Sequence, residues 1–199
     1  MFTRRLLIAA PLLLIATPGL ARSWTERLID AAESQIGRTV TYDPAYVKLA
    51  YPDGDVPIDR GVCTDVIIRA YRDGLGLDLQ KLVHEDMAAH FEAYPKLWGL
   101  SRTDRNIDHR RVPNLETFFR RKGAALAVTA DAGDYGPGDL VTMRLPGNLP
   151  HIGIVTQHMN AEASRPLLVH NIGGGAQLQD VLFGFKLTGH YRFSGLSPA

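Results

Sequence analysis

Hydrophobic residues recur at helical spacing through the first two thirds of the chain. In residues 24–36 the apolar positions fall on one face of a helix, and Gly37 follows as a stop signal. The same spacing predicts three more helices, over residues 63–73, 77–95 and 114–123. The segment between the first two helices is rich in Pro, Gly, Asp and Tyr, which is typical of an irregular loop.

The pattern changes after Tyr135 to short β-branched or aromatic runs separated by Gly, Pro or Asn. Four such runs predict strands, at residues 138–145, 151–157, 166–172 and 189–193. Because helices come first and strands second, the order predicts an α+β domain with a C-terminal antiparallel sheet.

Residues 1–21 differ from the rest of the chain. Arg4 and Arg5 precede an apolar run, and small residues at Gly19 and Ala21 match a signal-peptidase cleavage point. A membrane span needs roughly 20 apolar residues, and this run is shorter and contains two prolines. We therefore predict a cleaved signal peptide at 1–21, a single domain at 22–199 without a membrane span, and a periplasmic or secreted location.

Charge excludes one class of function. Without Arg4 and Arg5 the chain has 20 Lys and Arg against 21 Asp and Glu, so nothing indicates a nucleic-acid partner. Residues 96–122 are the exception, with eight Lys or Arg against three acids. This basic section is either a solvated face or a contact for an anionic wall or envelope polymer.

Cys63 is the only cysteine, so an internal disulfide is impossible. It stands at the predicted start of a helix, where unpaired backbone N–H groups and the helix dipole favour a thiolate. A free thiol kept in an exported protein is a candidate nucleophile, and the alternative is a small buried core residue.

Thiol catalysis also needs an imidazole and a group that orients it. Strand alternation places His151, Gly153 and Val155 on one sheet face, with space beside Gly153 for a substrate or a sulfur. His170 ends the next predicted strand, and antiparallel pairing would bring it beside His151. We predict His151 as general base and His170 as its orienting partner. A metal site that includes His158 is the alternative.

Five further polar residues are weaker candidates for the cleft: Tyr51, Arg60, Thr64, Asp65 and Asn171. Asp65 falls in the first helical turn, where a carboxylate also serves as a cap. Arg60 follows Asp59, so the two either pair near the cleft or solvate the loop. Tyr51 is a lone loop tyrosine that serves either the cleft or packing.

Three segments carry a family resemblance: GVCTDVIIRAY, YGPGDLVTMRLPGNLPHIGIVT and LVHNIGGG. Together they resemble the NlpC-type cell-wall cysteine peptidases and their papain-like amidase relatives. The resemblance implies a papain-like α+β fold, with the nucleophile helix packed on an antiparallel sheet, and the roles already given to Cys63, His151 and His170. That family usually has Asp-Cys-Ser-Gly where this chain has Val-Cys-Thr-Asp. Residues 24–194 also resemble the YijF-like family of secreted bacterial proteins, a domain of unknown function.

The sequence thus predicts an extracytoplasmic cysteine hydrolase that cleaves an amide bond without a cofactor. The resemblance implies peptidoglycan stem peptides, or another envelope peptide, as substrate and partner. Two alternatives stay open: a non-catalytic envelope-binding or scaffold module on the same fold, and an acyltransferase that uses the same cysteine.

Overall fold

The structure, a computed structural model, describes residues 21–195. Four helices precede the main sheet: α1 (Trp24–Glu33), α2 (Cys63–Leu75), α3 (Leu79–Ala89) and α4 (Val112–Arg121). The signal peptide predicted at 1–21 lies, apart from its last residue, outside the described residues. None of the helices in the described part is long and apolar enough to cross a membrane.

Eight strands complete the fold: β1 (Thr41–Tyr42), β2 (Arg60–Gly61), β3 (Ala125–Leu126), β4 (Leu140–Leu145), β5 (Leu149–Met159), β6 (Pro166–Asn171), β7 (Ala176–Gln179) and β8 (Lys186–Tyr191). The last six form an antiparallel sheet in the order β3-β8-β4-β5-β6-β7. The predicted α+β class with a C-terminal antiparallel sheet is confirmed.

The two faces of this sheet bury different sets of side chains. Ile152, Ile154 and Val169 pack with Cys63 and the helices in the larger apolar cluster. Val155 and Leu168, one residue away on the same strands, belong to a smaller cluster closed by loop residues. This split is the alternation expected of strands buried on both faces.

Several element boundaries differ from those predicted. Helix α1 ends at Glu33 and α3 at Ala89, where a 3₁₀ turn, Phe91–Ala93, takes over. Strand β7 follows the Gly173–Gly175 turn and was missed, because only four residues separate that turn from the next loop. The loop before α2 holds the small parallel pair β1-β2.

Arg69 of α2 anchors that loop. Its side chain is 2% exposed. The guanidinium donates to the Asp55 carboxylate at 2.7 and 3.1 Å, to the Thr39 hydroxyl at 3.0 Å, and to the carbonyls of Val56 and Arg60 at 3.0 Å each. A buried guanidinium with this many acceptors ties the loop to the helix that carries Cys63.

Candidate active site

Cys63 is the first residue of α2, as predicted. Val62 before it has an extended backbone and provides no side-chain cap. The Asp65 carboxylate accepts the Val62 N–H at 2.7 Å and pairs with Arg110 through two bonds of 2.9 and 3.0 Å. Asp65 therefore acts as a helix cap and as one half of a buried ion pair.

The thiol of Cys63 lies in a mixed environment. Burial raises its pKa to about 12, and the Asp65 charge acts in the same direction. The backbone N–H groups of Ile152, Thr64 and Cys63 itself oppose this by hydrogen bonding to the sulfur. Position at a helix start favours a low pKa, but here desolvation outweighs it, so the ligand-free thiol is protonated.

His151 and His170 form a hydrogen-bonded pair. The His151 Nε2 and the His170 Nδ1 are 3.0 Å apart, and the two rings are nearly perpendicular. Burial, with a smaller contribution from the neighbouring His170, lowers the pKa of His151 to about 3, and burial lowers the pKa of His170 to about 4. Both imidazoles are therefore neutral at physiological pH.

The space beside Gly153 is occupied by this pair rather than by a sulfur. A Cβ on Gly153 would lie 3.3 Å from the Cβ of His170 and 3.3 Å from the Leu168 side chain. The absent side chain at Gly153 thus makes room for the partner histidine, which was not the use we expected for it.

The thiol and the imidazole pair approach β5 from different sides. Cys63 packs with the Ile152 side chain, whereas alternation directs His151 to the opposite face. Pairing of β5 with β6 runs from Ile154 onward, and the Ile152 N–H, one residue from His151, bonds the sulfur. Within residues 21–195 no hydrogen bond joins Cys63 to His151. Catalytic hydrogen bonds often form only when substrate binds.

A cavity of about 190 Å³ opens beside Cys63. Much of its wall comes from residues that were not individual candidates, although four of them lie in the basic section: Tyr42, Pro44, Trp98, Arg111, Val112, Pro113 and Pro150. These residues lie on loops and element ends without hydrophobic periodicity, so no pattern marked them. The clustering of three prolines and aromatics is visible only once the chain is folded.

Tyr42 contributes a phenol hydroxyl to this wall. Burial, followed by the negative charges of a Cys63 thiolate and of Asp65, raises its pKa to about 12. Its phenol is therefore protonated and available to donate a hydrogen bond in the cavity.

The weaker candidates separate into two groups. Thr64 and Asn171 support the start of α2, since the Thr64 hydroxyl donates to the Arg110 carbonyl at 3.1 Å and the Asn171 amide to the Gly61 carbonyl at 3.0 Å. Arg60 is exposed and pairs with Asp59. Tyr51 packs edge-on against His84 with ring centroids 5.3 Å apart. Neither Arg60 nor Tyr51 lines the cavity.

The alternative histidine metal site is not assembled. His158 is partly exposed, and its Nε2 lies 3.0 Å from a carboxylate oxygen of Glu33, on α1. In the described part of the chain no group of three His, Cys, Asp or Glu side chains is arranged to hold a metal ion.

Comparison with known proteins places the chain among relatives of undefined activity. The uncharacterized protein YijF of Escherichia coli (strain K12) is 55% identical over 166 residues, which cover 83% of this chain and 80% of the relative. A family model described as a domain of unknown function, DUF1287, matches residues 29–193. The chain therefore belongs to the DUF1287 family.

Proposed function

We propose that this protein is an extracytoplasmic cysteine hydrolase of the papain-like class that cleaves an amide bond in peptidoglycan stem peptides or a related envelope peptide. One observation supports it most. The sole thiol begins a helix at the wall of a cavity and bonds the backbone of the residue next to His151, which is itself bonded to His170. The proposed nucleophile thus lies next to the strand that carries the proposed base and its orienting partner, and we propose that substrate binding brings the His151 imidazole to the sulfur.

The proposed reaction begins with proton transfer from the Cys63 thiol to His151. The thiolate attacks the amide carbonyl, and the N–H of Cys63 at the helix start holds the oxyanion. His151 then protonates the leaving amine as the C–N bond breaks, which leaves a thioester. Water, deprotonated by His151, adds to the thioester carbonyl and releases the acid, and the proton returns to the sulfur.

The pKa shifts are compatible with a resting pair that is neutral. Burial disfavours a lone thiolate at Cys63 and a lone imidazolium at His151. Transfer of the proton between them creates both charges together, and opposite charges attract strongly where solvent is scarce. His170 steadies the imidazolium through the 3.0 Å bond.

The test is the release of new amine termini from purified peptidoglycan fragments, followed by mass spectrometry. We expect products with the wild-type protein and a loss of at least about 10³-fold in Cys63→Ala and in His151→Ala. His158→Ala is the matched control, because that histidine lies outside the pair, and it should keep full activity. Equal rates in wild type and Cys63→Ala would contradict the proposal.

A second candidate function is a binding module that does not turn substrate over. The raised pKa of Cys63 favours it, together with the missing hydrogen bond to His151 within the described residues. Such a module would bind wall fragments equally well after Cys63→Ser and release no products. An acyltransferase on the same cysteine would instead give products only when an amine acceptor is added.

A further inference from the structure

Arg111 lies on the wall of the cavity that holds Cys63, and one nitrogen of its guanidinium lacks a hydrogen-bonding partner among the described residues. Its central carbon is 4.0 Å from the centroid of the Trp98 ring, which also lines the cavity. The Nη1 atom is buried, and within residues 21–195 it makes no hydrogen bond. Leaving such a donor unpaired is costly, so a site of this kind is completed by a ligand or water.

Neighbouring arginines in the basic section are engaged differently. Arg110 is bonded to Asp65, and Arg121 to Asp86. Two carboxylates act electrostatically on Arg111, those of Asp104 and Asp108. Asp104 and the Oδ2 of Asp108 accept hydrogen bonds from other donors, whereas the buried Oδ1 of Asp108 makes none within residues 21–195. Among the arginines of 96–122, Arg111 thus combines a buried Nη1 that is unpaired within residues 21–195 with a place on the cavity wall beside the thiol.

The Trp98 ring packs against this guanidinium. A guanidinium stacked on an aromatic face keeps its N–H edge free, and that edge matches the two oxygens of a carboxylate. The other guanidinium of the wall, Arg110, is already paired with Asp65, and most of the remaining wall is apolar. An anion that enters the cavity would therefore find Arg111 as its main partner there.

We propose that Arg111, held by Trp98, is a specificity-determining residue that selects amide substrates carrying a free carboxylate close to the scissile bond. The proposal rests on the proposed function, since it assigns a substrate class to the same cavity. It predicts that uncharged amides of the same size are poor substrates.

Two alkylating agents of nearly equal size test the proposal through Cys63. Iodoacetate carries a carboxylate and iodoacetamide carries a neutral amide, so the ratio of their rates with the folded protein reports anion recognition beside the thiol. We expect Arg111→Gln to lower the iodoacetate-to-iodoacetamide ratio by about fivefold or more and Arg111→Lys to restore part of it. The control is Arg102→Gln, an exposed arginine of the same section outside this cavity, which should leave the ratio unchanged.

A second measurement does not depend on thiol chemistry. The chain has two tryptophans, so a Trp24→Phe variant leaves Trp98 as the only source of indole fluorescence. N-acetylglycine should change this fluorescence in a saturable way, N-acetylglycinamide should not, and Arg111→Gln should abolish the response.

The outcomes separate the two proposals. An unreactive thiol with an Arg111-dependent fluorescence response would contradict the hydrolase and support the carboxylate site. A reactive thiol whose reagent ratio and fluorescence response are both unchanged in Arg111→Gln would overturn the carboxylate site and leave the hydrolase intact. Circular dichroism of Arg111→Gln and Arg111→Lys verifies that each variant is folded.

Discussion

Burial in the folded protein keeps the imidazoles of His151 and His170 in their neutral form. Burial lowers both pKa values below the ordinary value of 6.5, to about 3 for His151 and about 4 for His170. A neutral pair can hold one proton between its two facing nitrogens, and the donor is fixed by the tautomer. This neutrality has a measurable thermodynamic consequence.

Stability should fall as the pH falls below 6.5. In that range unfolded His151 binds a proton that the native residue does not, so the free energy of unfolding decreases with decreasing pH down to about pH 3. Between pH 7 and pH 5 the difference for one imidazole is about 2 kcal/mol. Urea unfolding of wild type and His151→Gln at several pH values measures it.

The pH dependence of the unfolding free energy should be steeper for wild type than for His151→Gln. Wild type should lose more stability than His151→Gln between pH 7 and pH 5, and the exposed His158→Gln should follow wild type. Parallel profiles for wild type and His151→Gln would show that the native imidazole titrates normally.

At the scale of elements, β5 is the strand whose residues meet the most packing constraints. It must bury Ile152 and Ile154 against the helices and His151 on the other face, and it must leave space at Gly153 for the partner histidine. Its N-terminal residues extend beyond the pairing with β6, which leaves the Ile152 N–H free for the thiol. One strand thus carries the proposed base and contacts the proposed nucleophile.

Gly153→Ala should disturb the histidine pair more than it disturbs the fold. The new Cβ would lie 3.3 Å from the His170 Cβ, and the Val169 carbonyl at 3.3 Å limits movement on the other side. We expect a stability loss of about 1 kcal/mol and an activity loss of about tenfold or more. The measurements are thermal unfolding, amide hydrolysis and ¹⁵N spectra of the imidazole nitrogens.

Gly184→Ala is the control for that variant. Its nearest neighbours would lie 3.5 Å or more from the added Cβ, which is ordinary van der Waals contact. It should keep wild-type activity and imidazole spectra. Unaltered imidazole signals in Gly153→Ala would show that His170 has more room than the structure gives it.

The elements with strong periodicity could be predicted from the sequence, and the others could not. Helix α2 begins at Cys63 as expected, and all four predicted strand segments overlap strands of the sheet, because apolar residues with a clear period dominate local structure there. Strands β1, β2 and β3 have two residues each and are set by tertiary pairing. His170 was placed beside His151 because antiparallel neighbours share a face.

At the scale of the whole molecule, the Asp65–Arg110 pair joins distant parts of the chain around the cavity. The two side chains are 4% and 2% exposed. Arg110 also donates to the carbonyls of Asp43 and Ala45, at 3.2 and 3.0 Å. One guanidinium therefore connects the start of α2, the basic section and the loop that carries Tyr42.

Asp65→Asn should be strongly destabilising. It leaves the buried Arg110 without its counterion and weakens the cap on Val62. Breaking a buried ion pair by removing one partner costs about 3 kcal/mol or more.

Chemical unfolding measures this loss of stability, with Asp59→Asn as the control. Asp59 pairs with Arg60 on the exposed surface, so its replacement should leave the unfolding midpoint unchanged. Equal midpoints for all three proteins would contradict the role given to this pair.

The basic section shows why the site was only partly predictable. Its excess of Lys and Arg indicated a solvated or polymer-binding face, but Arg110 is buried and Arg121 and Lys122 bind the buried carboxylate of Asp86. Arg111 and Trp98 reach the cavity from this section. A local count of charges does not reveal which acids, far away in the chain, the fold brings to them.

The anchoring of the loop before α2 by Arg69 has a consequence for ligand binding. A long loop with little secondary structure ordinarily samples many conformations. Ordering such a loop on ligand binding costs entropy, which weakens the binding free energy. Here the Arg69 side chain donates hydrogen bonds to the Asp55 carboxylate and to the carbonyls of Val56 and Arg60. The Tyr42 side of the cavity is thus preorganised, and a ligand that enters it needs to immobilise little beyond itself.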